Sequence, residues 1–138
     1  MPLENSKTDE AIVTHVRSLS EHCRASIVLI HVADGFAARN IKSLELKESE
    51  EIKKDRAYLD GVTARLATAG FAVESVLASG DPAKEITAAA IREHCDLIAM
   101  GTHGHTGVKD LIYGSVANEV RHQSMVPVLL VREGPART

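Results

Sequence analysis

The sequence predicts an α/β fold in which helices cover both faces of a parallel β-sheet. Amphipathic helical segments alternate along the chain with short apolar runs, and this alternation is typical of parallel sheets. The runs 26–32, 96–100 and 125–131 are almost continuously apolar, as expected of strands that are buried on both faces. With 138 residues, of which 44% are hydrophobic, the chain has the size of one domain, which we expect to span residues 1–138.

The composition limits the possible partners. The net charge is −3 and both signs are spread along the chain, so no basic stripe favours nucleic acid. Two Phe, two Tyr and no Trp leave few side chains on which bases could stack. No apolar run reaches the roughly 18 residues of a membrane span, and the N-terminus lacks the layout of a signal peptide. We therefore expect a cytoplasmic protein that binds neither nucleic acid nor a membrane.

The first half of the chain predicts two helices around one strand. Helical spacing over residues 8–23, with Ser6 as N-cap, places four side chains on one core-facing stripe: Ile12, Val16, Leu19 and Cys23. The strand 26–32 follows, then a loop to about residue 43. A long helix is expected from about Leu44 to Ala69, although Gly61 in its interior costs about 1 kcal/mol relative to alanine.

The second half predicts three strands around two helices. After a strand at 71–77, Asp81 is the expected N-cap and Pro82 the first residue of a helix that reaches about His94. The strand 96–100 and a final strand at 125–131 complete the pattern. Pro127 cannot donate to a β-ladder, so the last strand should lie at an edge of the sheet or begin at the proline.

Cys23 and Cys95 each follow a histidine, and two interpretations are open. His-Cys pairs could bind zinc, but their spacing matches no known local ligand pattern. Alternatively, each cysteine is a small apolar residue at the point where a helix ends and a buried strand begins. We favour the structural interpretation and expect no metal site.

The most informative segment runs from Met100 to Gly107, with the sequence MGTHGHTG. It leaves the carboxyl end of a buried strand, where open α/β sheets bind their ligands. Its glycines allow the backbone to approach a ligand closely. Gly114 and Ser115 are then expected to open a helix, with Ser115 as N-cap, and free amides at a helix N-terminus suit a phosphate. A plain glycine-rich connector is the alternative, and the P-loop and dinucleotide signatures are both absent.

The spacing Gly101-x2-Gly104-x9-Gly114-Ser115 resembles the Gly-x2-Gly-x9-Gly-Ser/Thr motif of the ATP-binding branch of the universal stress proteins. The stretches DLIAMGTHGHTG, GSVANEVRHQSMVPVLLVR and GDPAKEI are similar to the same family, so the resemblance covers nearly the whole chain. It implies an open, doubly wound, Rossmann-like sheet of five parallel strands in the order 3-2-1-4-5.

The resemblance also implies a ligand and its site. The ligand would be ATP, with AMP or ADP as alternatives, and Mg²⁺ would bind only together with the nucleotide. The residues that correspond to the family's binding positions are Glu4 for the ribose, Val32 and Met100 beside the adenine, and Gly101, Gly104, Gly114, Ser115 and the Val116 amide for the phosphates. Glu4 is one methylene longer than the aspartate usual at this position.

The family's first strand would be truncated here, because only Met1 precedes Pro2 and a short stub remains. In the order 3-2-1-4-5 this strand lies between two others, and each buried backbone group left unpaired costs about 1–3 kcal/mol. We therefore expect that the natural start lies upstream, or that the domain belongs to a longer protein.

Three functions compete. The first is a nucleotide-binding regulatory module of the stress response, acting through an unidentified protein partner or through a homodimer, which the resemblance implies at the edge strand containing residues 128–131. The second is slow ATP hydrolysis or phosphoryl transfer, which needs a metal and a water-positioning group. Only Asp110 and the loop residues His103 and His105 are close in sequence to the predicted phosphate-binding glycines. Exposed loop side chains without a catalytic role are the simpler interpretation, so we assign no catalytic residue. The third is an interaction module that binds no nucleotide.

Overall fold

The computed structural model describes residues 1–34, 41–102 and 108–132. For residues 34, 41–49 and 108–114 it describes the backbone alone. Helices and strands alternate, as the sequence predicts. In chain order the elements are α1 (Asp9–Cys23), β1 (Ile27–Asp34), α2 (Ile41–Thr68), β2 (Val73–Gly80), α3 (Pro82–Arg92), β3 (Ile98–Thr102), α4 (Val108–Gln123) and β4 (Val128–Arg132).

The four strands form two parallel pairs. β1 pairs with β2 over its full length, from Ile27 opposite Val73 to Asp34 opposite Gly80. β3 pairs with β4 from Ile98 opposite Val128 to Thr102 opposite Arg132. β4 begins directly after Pro127, as the missing amide of proline requires. The described part is therefore an α/β fold with parallel strands.

Residues 1–3 pair with the edge of β1 that faces away from β2. Pro2 forms a parallel bridge with Ile30. The Leu3 amide donates to the Ile30 carbonyl at 2.8 Å, and the Ile30 amide donates to the Met1 carbonyl at 3.1 Å. Leu3 is also buried in the core. The amino-terminal residues thus occupy a strand position beside β1.

Helix α1 begins and ends close to the predicted residues, but its cap and part of its face differ. Ser6 is not the N-cap. Thr8 precedes the first helical residue, and no side chain caps the helix there. Ile12 and Val16 are buried, whereas Leu19 is 37% exposed and Cys23 is exposed. The predicted stripe was wrong at its carboxyl end, because the buried face continues from Val16 to Ser20, at helical spacing, and turns Leu19 and Cys23 outward.

Helix α2 is longer than predicted at its start and unbroken at Gly61. A Cβ placed on Gly61 meets no atom within 4 Å, so this glycine faces open space and disturbs no packing. Leu59, Val62 and Leu66 are buried against the sheet. Packing of this half of the helix against the sheet stabilises it and offsets the low helix propensity of Gly61.

Helix α3 starts where the sequence places it. Asp81 is the N-cap and its carboxylate accepts the Lys84 amide at 3.0 Å, while Pro82 occupies the first turn. The strand before it, β2, begins two residues later than expected and ends three residues later, at Gly80. Gly80 has a φ of 130°, which glycine adopts without strain and which allows the sharp turn into the helix.

Helix α4 contradicts the prediction that Ser115 is an N-cap. The helix begins at Val108, so Gly114 and Ser115 lie in its interior. Residues 108–113 contain no glycine or proline, and an interior glycine costs only about 1 kcal/mol. The free-energy cost of Gly114 inside the helix is therefore small, and the helix begins at Val108 instead of at Ser115.

The helices divide between two hydrophobic clusters. The first cluster joins α1 and α2 to Leu29 and Ala99, and the second joins α3 and α4 to Ile30 and Met100. Neighbouring residues of β1 and of β3 thus point into different clusters, as expected where helices cover both faces of strands. No helix within residues 1–34, 41–102 and 108–132 is long and apolar enough to cross a membrane.

Candidate functional site

Three of the predicted site residues lie in one hydrophobic cluster. Met100 is buried in β3, and Val32 near the end of β1 and Val116 in α4 are half-buried against the same cluster. These side chains come from three separate elements. The structure therefore packs the side chains of the two positions assigned to adenine into the same cluster as the Val116 side chain, whereas the role assigned to Val116 concerns its amide.

The glycine motif is only partly described. Gly101 lies near the carboxyl end of β3, and a Cβ there would meet Ile12 at 3.8 Å, which is ordinary van der Waals contact. Gly104 lies outside the described residues. Gly114 is inside α4, and Ser115 is exposed on that helix. In a helix beginning at Val108, the amides of Ser115 and Val116 lie beyond the four free N-terminal amides. Their contact with a phosphate stays a prediction.

Glu4 follows the strand-like residues 1–3 and begins a turn whose backbone amides donate to a buried carboxylate. The Asp9 side chain is 3% exposed and sits at the start of α1. Its Oδ1 accepts the Glu4 amide at 3.0 Å, and its Oδ2 accepts the Asn5 amide at 2.9 Å and the Ser6 amide at 3.3 Å. We call these three residues, closed on the Asp9 carboxylate, the Asp9 turn.

The conformation of Asn5 makes this convergence possible. Its φ is 61°, in the left-handed region that asparagine tolerates better than most residues. A left-handed residue within a turn directs successive amides to one point and so forms an anion-binding concavity. Here the anion is the protein's own Asp9. All of these amides can only donate, and a carboxylate only accepts, so the pairing is complementary.

Tyr58 connects the Asp9 turn to α2. Its hydroxyl donates to Asp9 Oδ2 at 2.5 Å. Burial, reinforced by this hydrogen bond and by the Asp9 charge, raises the pKa of Tyr58 well above its ordinary value. The phenol therefore stays protonated and remains a donor to the carboxylate across the physiological range.

His31 holds the same segment from β1. Its Nδ1 lies 2.8 Å from the Leu3 carbonyl, and its Nε2 lies 3.1 Å from Asp55 Oδ2 on α2. The side chains of His31 and Asp55 are only 12% and 20% exposed. Asp55 Oδ1 also accepts the Asn5 side-chain amide at 3.4 Å. The segment around Glu4 is thus bonded to α1, α2 and β1.

Sequence reasoning missed these supporting residues. The sequence patterns assigned no role in the site to Asp9, Tyr58, Asp55 or His31. Asp9 and Tyr58 are 49 residues apart, and His31 and Leu3 are 28 apart, so no local pattern connects them. The polar stretch Glu-Asn-Ser before an aspartate was the one local indication of a turn.

Two cavities in the described part of the chain lie away from these residues. One is lined mainly by apolar side chains of β1, α3 and the start of β3, and it reaches Met1 and Pro2. The other is a groove between the ends of α1 and α2, lined by Arg24, Gly70 and Phe71 among others. Both lie toward the amino ends of the strands, whereas parallel sheets bind ligands at the carboxyl ends. Among the described residues, no three His, Cys, Asp or Glu side chains are grouped as metal ligands.

Comparison with known proteins gives a uniform result. Residues 1–132 match the model of the universal stress protein family. The universal stress protein MJ0577 of Methanocaldococcus jannaschii is 30% identical over 148 residues, covering 95% of this chain and 91% of that protein. The structure of MJ0577 superposes with a TM-score of 0.80 at 28% identity, over 98% of this chain and 94% of that one.

A more distant relative has been solved with a ligand. A universal stress protein from Archaeoglobus fulgidus, in complex with dAMP, matches with a TM-score of 0.70 at 17% identity, over 94% of this chain and 93% of that one. At this identity the match supports the fold alone. The whole-chain family match and the MJ0577 relative are stronger, and together they show that this chain belongs to the universal stress protein family.

Proposed function

We propose that this chain is a cytoplasmic regulatory module of the stress response that binds an adenine nucleotide, with ATP as the preferred ligand. The observation that carries the proposal is the meeting of Val32 and Met100 in one cluster near the carboxyl ends of β1 and β3. Val32 is half-buried, so its exposed part can contact a purine base, and Met100 is packed in the same cluster. A universal stress protein of the same fold has been solved in complex with dAMP, which is an adenine nucleotide.

The proposed site extends along the same strand ends. Glu4, on the Asp9 turn, would accept hydrogen bonds from the ribose hydroxyls. Gly101 and Gly104, followed by Gly114, Ser115 and Val116, would contact the phosphates. Mg²⁺ would bind only with the nucleotide, because its ligands would include phosphate oxygens.

The site implies a sheet order, which is part of the proposal. We place residues 1–3 in the first position of a five-stranded sheet of order 3-2-1-4-5, with β2 and β1 on one side and β3 and β4 on the other. The pairing of Pro2 with Ile30 supports the first half of this order. The first cluster, which holds residues of both β1 and β3, supports the second half. Residues 1–138 would then form one domain.

The first experiment is the nucleotide content of the purified protein. Protein prepared without added ligand is denatured, and released nucleotide is identified by chromatography and mass spectrometry. We expect adenine nucleotide approaching one per chain, and titration of the emptied protein with ATP, ADP and AMP then ranks the ligands. Folded protein that carries no nucleotide and does not bind added ATP would refute the proposal.

The start of α4 favours a second candidate, an interaction module without nucleotide. Because α4 begins at Val108, the free amides of its first turn lie seven residues before Ser115 in the chain. Binding of phosphates at Ser115 would need this helix to unwind at its start. Addition of excess ATP that leaves the Val108–Gly114 helix intact and produces no shift of its NMR signals would favour the second candidate.

We also propose a homodimer that forms through β4. In the described residues β4 pairs only with β3, and its Leu130 side chain is 42% exposed. An unpaired edge with apolar side chains favours pairing with another chain. Leu130→Lys should convert the dimer to a monomer in analytical ultracentrifugation, whereas Leu19→Lys on the exposed end of α1 should not. A monomeric wild type at micromolar concentration would refute this assembly.

A further inference from the structure

The Asp9 turn fixes the backbone from which the Glu4 side chain extends. Three amides and a phenol donate to one buried carboxylate, and none of these hydrogen bonds belongs to a helix or strand ladder. A glutamate has three side-chain torsions, so its carboxylate finds a ligand efficiently only if the backbone beneath it is fixed. The buried network is therefore a support for the residue assigned to the ribose.

We propose that Asp9 and Tyr58 are positioning residues for ribose recognition: they hold the Asp9 turn so that Glu4 meets the ribose hydroxyls of a bound nucleotide. This inference rests on the nucleotide-binding function proposed above. Neither side chain touches the ligand. Asp9 acts through the amides of Glu4, Asn5 and Ser6, and Tyr58 acts through Asp9.

Charge and burial explain why both residues are needed. An aspartate at 3% exposure is tolerated only if donors surround it, and the amides of the turn provide three. The Tyr58 hydroxyl, at 2.5 Å, fills the remaining side and ties the turn to α2. Without that donor, Oδ2 keeps only the weaker amide contacts, and the left-handed Asn5 loses part of what holds it. The turn can then relax toward more common backbone conformations.

The test separates positioning from stability by comparing two ligands. Affinities for ATP and for 2′,3′-dideoxy-ATP are measured by calorimetry, and their ratio reports the ribose hydroxyls alone. The variants are Glu4→Gln, Tyr58→Phe and Asp9→Asn. Thr63→Val is the matched control, because it removes a hydroxyl from the same helix that only donates to the Leu59 carbonyl at 2.7 Å.

We expect wild type to prefer ATP by roughly tenfold or more, as the loss of hydrogen bonds to a charged group implies. Tyr58→Phe and Asp9→Asn should lower this ratio at least about threefold, and Thr63→Val should leave it unchanged. In the Glu4→Gln background, Tyr58→Phe should have no further effect on the ratio. Because Tyr58→Phe keeps the ring, it tests the inference even if Asp9→Asn fails to fold.

The outcomes distinguish the inference from the function beneath it. If wild type binds no adenine nucleotide, the proposed function fails and the inference falls with it. If wild type binds ATP and Glu4→Gln lowers the ratio, but Tyr58→Phe and Asp9→Asn keep the wild-type ratio, the function stands and the inference alone is wrong. A merely structural role would lower the unfolding midpoint and both affinities together, and would leave their ratio unchanged.

Discussion

Replacing Gly101 by alanine should leave the fold intact and make it slightly more stable. A Cβ at this position would lie 3.8 Å from Cβ and Cγ2 of Ile12 and 4.0 Å from the Val131 carbonyl oxygen. All three are ordinary contacts, and the φ of Gly101 is not in the left-handed region. Substitution of a glycine at such a position gains about 0.4–1 kcal/mol through the unfolded chain. We expect the free energy of unfolding to rise by about that amount.

A larger side chain at the same position provides the contrast. Gly101→Leu adds three more carbons beside the fully buried Ile12, and overpacking of a core typically costs about 1–3 kcal/mol. Combining it with Ile12→Ala should recover part of this loss, because the two side chains compete for the same space. Urea denaturation followed by circular dichroism measures wild type, Gly101→Ala, Gly101→Leu, Ile12→Ala and the variant that combines the last two. A loss of more than about 1 kcal/mol in Gly101→Ala would refute the geometry on which this prediction depends.

The same variant tests why a glycine occurs there. The added methyl group would point at α1 and into the first cluster. If folded Gly101→Ala binds ATP more than about tenfold more weakly than wild type, a ratio worth about 1.4 kcal/mol, the bound nucleotide rather than the fold requires the glycine.

Asp81→Ala should cost about 1 kcal/mol of stability through loss of the α3 cap, whereas Asp81→Asn should cost much less; equal losses in urea denaturation would exclude a capping role. A double-mutant cycle of His31→Gln and Asp55→Asn should give a coupling energy of about 1 kcal/mol, because the pair is mostly buried but not fully so; additive effects would show that it contributes nothing. Because the folded protein raises the pKa of Tyr58, the unfolded chain releases that proton first as the pH rises. Stability should therefore fall above about pH 10 more steeply in wild type than in Tyr58→Phe, and parallel curves would contradict this.

Local sequence signals predicted the starts of elements well where a single residue, such as an N-cap or a proline, restricts the backbone conformation. Asp81 and Pro82 located the start of α3. The last strand was predicted from residue 125, with a start at Pro127 as one of two alternatives, and β4 begins directly after that proline. The same kind of argument was wrong at Ser115, where a serine after a glycine has the composition of a cap but lies inside α4. No residue between 108 and 113 prevents a helix from starting before Ser115. Differences in helix propensity of about 1 kcal/mol do not determine where a helix begins.

The candidate site was predictable only in part, because it depends on contacts between distant residues. The glycine motif and the strand ends predicted a site at the carboxyl edge of the sheet. Val32 and Met100 share one cluster near that edge, and nucleotide binding there stays a prediction. The support of Glu4 was not predictable. It depends on a left-handed Asn5, a buried Asp9 and a tyrosine on another helix, and only the folded chain brings these together.

The division of the core into two clusters has a consequence for how this chain can change. Leu66 lies in the cluster of α1 and α2, and Val120 lies in that of α3 and α4. The two clusters have no member in common, so the effects of substitutions at these two sites on stability should add. One face of the sheet can therefore accumulate compensating substitutions, or receive a new binding surface by design, while the packing of the other face stays as it is.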